Sequence, residues 1–112
     1  MNEQDFVIDK AAGLNFCGGM EELYNEIVQD FAEDCKVRIA NLTTCYNNKD
    51  WANYAIESHS IKATAKTVGA TDFAEHCRLH EFAAKEGNVA YIDEDFANFM
   101  ATIKELISRV SA

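Results

Sequence analysis

The chain has no proline, only five glycines in 112 residues, and ten lysines and arginines against nineteen aspartates and glutamates. Without proline, and with few glycines, the composition is that of helices rather than of a turn-rich sheet. The shortage of basic groups leaves a net charge of −9. That excludes the basic face a nucleic-acid binder carries, and it disfavours docking on an anionic membrane. Long apolar runs are missing too. No uncharged run exceeds ten residues, as in Ile39 to Asn48, whereas a spanning helix needs about 18 apolar residues. Close cysteine pairs are absent: Cys17, Cys35, Cys45 and Cys77 contain no C-x-x-C, so neither a cysteine zinc site nor a disulfide framework is expected. The segment Met1 to Asp9 has no basic n-region and no apolar h-region, so no signal peptide is expected and the location is read as cytoplasmic.

What is present is a hydrophobic content of 48%, enough for one buried core, and residues 1–112 are read as a single domain. Cys17-Gly18-Gly19 separates a short amphipathic piece, about Val7 to Phe16, from a long helix, about Met20 to Tyr46. In the long helix Leu23, Tyr24, Ile27, Phe31, Cys35, Ile39 and Leu42 recur every three or four residues. Asn47-Asn48-Lys49 is a turn, and Asp50 is a good N-cap for a helix from about Trp51 to Val68 that stops at Gly69. Thr71 is read as the cap of the next helix, about Asp72 to Lys85, and Asp93 as the cap of the last, about Glu94 to Val110. Short connections imply antiparallel neighbours. The expected fold is therefore all-α, an up-down-up-down four-helix bundle with the additional short N-terminal helix across one end.

A bundle does not name a function. The helix from Trp51 to Val68 carries the signal that does. With Ile61 set facing the core, Tyr54, Ser58, Ala65 and Val68 fall within about 60° of it, and His59 falls about 160° away. Around His59 the outer face holds Ala52, Ala55, Ile56, Lys62, Ala63 and Lys66. A solvated face on so acidic a chain should carry Glu, Asp and Gln. Small residues beside a histidine instead let a partner approach the ring, and Ile56 offers it apolar contact. Lys62 at i+3 and Lys66 at i+7 place positive charge on the same side. An unperturbed imidazole, with a pKa of about 6.5, is a capable nucleophile at neutral pH. No carboxylate is forced onto this face. The pattern describes a phosphoryl acceptor better than a metal ligand or a general base.

The string His59-Ser60-Ile61-Lys62-Ala63-Thr64-Ala65-Lys66-Thr67-Val68-Gly69-Ala70 resembles the signature of histidine-containing phosphotransfer (HPt) domains. That signature is a histidine, a hydrophobic residue two later, lysine three later, small residues, and an aliphatic-Gly-Ala ending. Phe73, the Cys77 to Glu81 stretch and Phe82 to Asn88 resemble the family's next helix, and Gly13 to Gly19 with Glu22-Leu23-Tyr24 and Phe31 its N-terminal half. The resemblance implies a phosphorelay intermediate, with His59 phosphorylated and Lys62 steadying the phosphoryl oxygens. Its partners would be response-regulator receiver domains and a hybrid sensor histidine kinase. Ala63 stands where the family often has glycine and is still small. Lys66 belongs to the wheel and not to the signature. No G-x-G-x-x-G or Walker motif is present, so no ATP site and no cofactor are expected. The protein is expected to act as a monomer.

Two other readings compete. One is a docking module of the same shape that does not transfer phosphate; its mark would be loss of the histidine or the lysine, and both are present. The other is a metal-binding bundle built on His76 and His80, four residues apart. Their neighbours Phe73, Cys77 and Ala84 suggest a packing face, His80 stands where the resemblance leads one to expect an aliphatic residue, and two histidines are half a site. No metal is assigned on the sequence. The acidic run Glu21, Glu22, Glu26, Asp30, Glu33 and Asp34 reads as a solvated helix face.

Overall fold

The computed structural model describes residues 3–111. Met1, Asn2 and Ala112, the ends of the expected domain span, lie outside them. A 3-10 turn, Glu3–Phe6, precedes five helices: α1 Lys10–Phe16, α2 Glu21–Asn47, α3 Trp51–Val68, α4 Thr71–Glu86 and α5 Val89–Val110. The fold is all-α, a four-helix bundle of α2 to α5 with the short α1 added. Each long helix packs on the next, and α5 returns against α2 to close the ring. The core holds Phe31, Leu42, Tyr54, Ile61, Val68, Phe73, Ile92, Phe99, Ile103 and Leu106. At one end Tyr46 stacks on Phe96, and Trp51 packs edge-on against Tyr46 and Tyr54. All four cysteines are free and buried. No helix among the described residues is long and apolar enough to cross a membrane.

Three boundaries differ from the sequence expectation. The first helix starts at Lys10 rather than Val7, because the Asp9 carboxylate accepts the Ala12 N–H at 3.1 Å and caps it there. Ala70 and not Thr71 is the N-cap of α4, with no side-chain capping bond. The last helix starts at Val89 rather than Glu94. Asn88 accepts the Tyr91 N–H at 3.3 Å, so Asp93 lies inside the helix, where the Tyr46 hydroxyl donates to it at 2.7 Å.

The junction between α3 and α4 is pinned from outside. Asp9 N–H donates to the Gly69 carbonyl at 2.8 Å, and the Tyr24 hydroxyl donates to the Val68 carbonyl at 2.8 Å. This sets α1 across that end of the bundle, while the 3-10 turn lies on α4 and α5. Gly69 ends α3 with φ at 91°, and a Cβ there would run into the Asp9 carbonyl. Gly13 leaves room for the Tyr24 ring and the Val68 carbonyl in the same way.

Small residues line the seam between α3 and α4: Ala55, Ser58 and Ala65 on one side, Ala74 and Ala84 on the other, all buried. They let the two helices approach closely. The Ser58 hydroxyl in this seam has no hydrogen-bond partner. A buried hydroxyl without a partner is unfavourable, and alanine is the better helix former. Ser58→Ala should therefore raise stability by about 1 kcal/mol. An unchanged or lower midpoint on urea denaturation would contradict this.

Candidate functional site

His59 stands in the middle of α3, a helix capped at its start by Asp50, which accepts from Asn53 N–H at 3.2 Å, and at its end by Gly69. Its side chain is 59% exposed, on the side the wheel indicates. The face around it is narrower than expected. Ala55 is buried at 5% and Lys62 is half-buried, because α4 covers that flank. A wheel drawn for one core stripe misses this: α3 packs on α2 with one flank and on α4 with another. Ala52, Ile56, Ala63 and Lys66 are exposed as expected.

The expectation that no carboxylate shares the face of His59 is wrong. Glu81 reaches it from α4, with its side chain only 7% exposed. Its oxygens lie 3.2 and 3.3 Å from His59 Nδ1. Lys62 Nζ donates to Glu81 Oε1 at 2.7 Å, and Lys85 Nζ donates to Oε2 at 2.6 Å. Burial, the largest single influence, would raise the Glu81 carboxyl. Hydrogen bonds from Lys62 and Lys85, with the charges of Lys62 and His59, outweigh it and hold the group at about 2. Glu81 is thus an anion at neutral pH. It can only accept from His59, so Nδ1 carries a hydrogen, and in the neutral ring the lone pair is on Nε2. Among the described residues nothing bonds Nε2.

Lys62 does not extend freely beside the ring, as the sequence suggested; its ammonium is tied to Glu81. Lys66 lies seven residues on from His59, about 10 Å along the axis. Its charge acts on Glu75, whose carboxyl is held down first by the Arg78 hydrogen bond. Glu81 and Lys85 were missed because they stand on another helix. Their i,i+4 spacing on α4 was visible, but nothing local aims them at α3.

Beside His59 lies a cavity of about 610 Å³, walled by Trp51, Ala52, Ala55, Ile56, Glu81 and Ala84. Ala55 forms part of this wall although it is buried. Ala63 is exposed but lies outside the cavity. The opening is apolar along α3 and charged along α4.

The histidines of α4 point elsewhere. His80 is fully buried and stacks on Phe99 with ring centroids 3.9 Å apart. Its Nδ1 lies 2.9 Å from the Tyr54 hydroxyl and its Nε2 2.7 Å from Asp95 Oδ2. Burial pushes its imidazole down to about 4, against the opposing pull of Asp95. His76 Nε2 lies 2.6 Å from the same Asp95 oxygen, and its Nδ1 2.8 Å from Asp5 Oδ2. The sequence paired the two histidines but not the carboxylates from α5 and the 3-10 turn.

A four-helix bundle that presents one accessible imidazole at mid-helix, backed by a buried carboxylate and flanked by lysines, has the form of a phosphoryl carrier. The family model described as Hpt domain matches residues 26–112, and the chain belongs to that family. The match begins inside α2, so the 3-10 turn and α1 lie outside it. No curated protein and no solved structure matches significantly. Membership supports a general role in phosphorelay, with receiver domains as the typical partners.

Proposed function

We propose that the protein accepts a phosphoryl group on His59 from the aspartyl phosphate of a receiver domain and passes it to another receiver. The observation that carries this is the pairing of His59 Nδ1 with the Glu81 carboxylate, which leaves Nε2 as the nucleophile. Nε2 attacks phosphorus in line with the aspartyl oxygen. The N–P bond forms, the P–O bond to the receiver breaks, and the receiver's carboxylate leaves. No proton needs to move. The Nδ1 hydrogen stays on the ring, which becomes a phosphoimidazolium, and the Glu81 carboxylate offsets the new positive charge. Return transfer to a second receiver is the same step reversed. The carrier supplies positioning and charge, which is most of what phosphoryl transfer asks of a protein.

Lys62 has two duties in this reading. In the resting protein it keeps Glu81 ionised. Once phosphate sits on the ring, its ammonium is one residue-turn away and can share its donors with the phosphoryl oxygens. The apolar cavity walled by Ala52, Ala55 and Ile56 is the surface against which a receiver docks. Lys66, about 10 Å further along α3 and outside this cavity, adds a more distant positive charge.

A charge-assisted contact contributes about 1.5–3 kcal/mol, reduced by exposure. Lys62→Ala should therefore slow transfer about 10-fold or more, or shorten the life of the phosphohistidine. Label transfer from a phosphorylated receiver, followed over time, measures both. Unchanged kinetics on both counts would remove Lys62 from the mechanism. The same assay with the unsubstituted protein tests the function itself: the expected product is acid-labile, base-stable phosphate.

A further inference from the structure

On the side of α4 facing α5, three potential ligand atoms converge. His76 Nε2, His80 Nε2 and an Asp95 oxygen all lie within 4.8 Å of one another. The two histidines are four residues apart on one helix, the spacing that aims two imidazoles at one point. Both point at the same oxygen, Asp95 Oδ2, at 2.6 and 2.7 Å. Each ring is also held from behind. Asp5 Oδ2 faces His76 Nδ1 at 2.8 Å, and the Tyr54 hydroxyl faces His80 Nδ1 at 2.9 Å. Oriented histidines of this kind, with the second nitrogen engaged by a carboxylate or hydroxyl, are the arrangement metal ligands need.

With a cation held by the Nε2 atoms and Asp95, His76 Nδ1–H donates to Asp5 and His80 Nδ1–H donates to the Tyr54 hydroxyl oxygen.

From this convergence we propose that His76, His80 and Asp95 bind a divalent first-row metal, zinc being the cation their two nitrogens and one oxygen suit. Ligand bonds of about 2.0–2.2 Å require the three atoms to spread from hydrogen-bond contact by less than about 1 Å. Water supplies the remaining position. The ion enters through a cavity of about 620 Å³ whose wall includes His76 and the acidic Asp5, Asp72 and Glu75. Bound there, it ties α4 to α5 directly and to the 3-10 turn through Asp5. This site is separate from His59 and does not rest on phosphotransfer.

The test is calorimetric titration of the chelator-stripped full chain with zinc chloride, paired with the absorption spectrum of the cobalt form. Expected are saturable binding of a single zinc per chain and visible cobalt bands without thiolate charge transfer, which sets the buried cysteines aside. His76→Gln and Asp95→Asn should lose saturable binding while keeping the helical circular dichroism of the wild type. Asp5→Asn should bind about 10–100-fold more weakly, and His59→Gln as well as the wild type. No saturable binding by the folded wild type, a thiolate band, or undiminished binding by folded His76→Gln and Asp95→Asn would each overturn the proposal.

Discussion

His59→Gln should abolish phosphoryl transfer from a phosphorylated receiver while leaving the bundle folded. Glutamine keeps bulk and polarity but has no ring nitrogen with a free lone pair. The side chain it replaces is largely exposed and lies outside the core. Its contacts with the protein run through Nδ1 to Glu81, and the glutamine amide N–H can donate to the same carboxylate. Helical circular dichroism and the unfolding midpoint should therefore stay close to wild type, within about 0.5 kcal/mol, while labelling falls to background. Residual labelling at the wild-type level would mean the phosphoryl group resides elsewhere. The other histidines are poor alternatives, because both ring nitrogens of His76 and of His80 are already engaged.

The second large effect concerns Glu81. Its carboxyl is held at about 2 in the folded protein, against 4.5 for an unperturbed glutamate. A folded-state value below the unfolded one means that the ionised group stabilises the fold above pH 4.5. The contribution is lost as pH falls towards 2. The shift corresponds to at most about 3 kcal/mol, and the exposure of Lys85 reduces it to about 2 kcal/mol. Glu81→Gln should therefore be about 2 kcal/mol less stable than wild type at pH 7. The gap should close between pH 4.5 and about 2, where the wild-type carboxyl takes up its proton. Urea denaturation across that range measures it. A gap that stays constant down to pH 2 would show that Glu81 contributes by packing and not by charge. Transfer should also slow in this variant. Glutamine can still accept from Nδ1–H, but it brings no negative charge to meet the phosphoimidazolium.

The exposure of His59 is legible in the sequence because exposure on a helix is a local property: the apolar period of α3 puts Ile61 inside and His59 outside whatever surrounds it. The helices themselves were legible for the same reason, and Asp50 and Gly69 marked the ends of α3 in their own residue types. Glu81 was not legible as a partner of His59. Twenty-two residues separate them, and only the packing of α4 on α3 brings the carboxylate to the ring. Ala55 failed for the matching reason, since the helix that supplies Glu81 also covers that flank. The start of α5 was misread because Asp93 and Asn88 are equally good caps by composition, and the turn at Gly87 decides between them. Asp5 and Asp95 met His76 only through tertiary structure, seventy-one and nineteen residues away. Period and capping read one helix at a time; a site shared between helices is decided by their contact.

The central claim is that Nε2 of His59 carries the phosphoryl group. Its most direct test is nuclear magnetic resonance of the protein labelled with nitrogen-15 in histidine, after incubation with receivers phosphorylated on aspartate. The account predicts phosphorus coupling at a single nitrogen, Nε2 of His59, with Nδ1 still protonated against Glu81. Phosphate on a carboxylate, on His76 or His80, or on Nδ1 of His59 would contradict it.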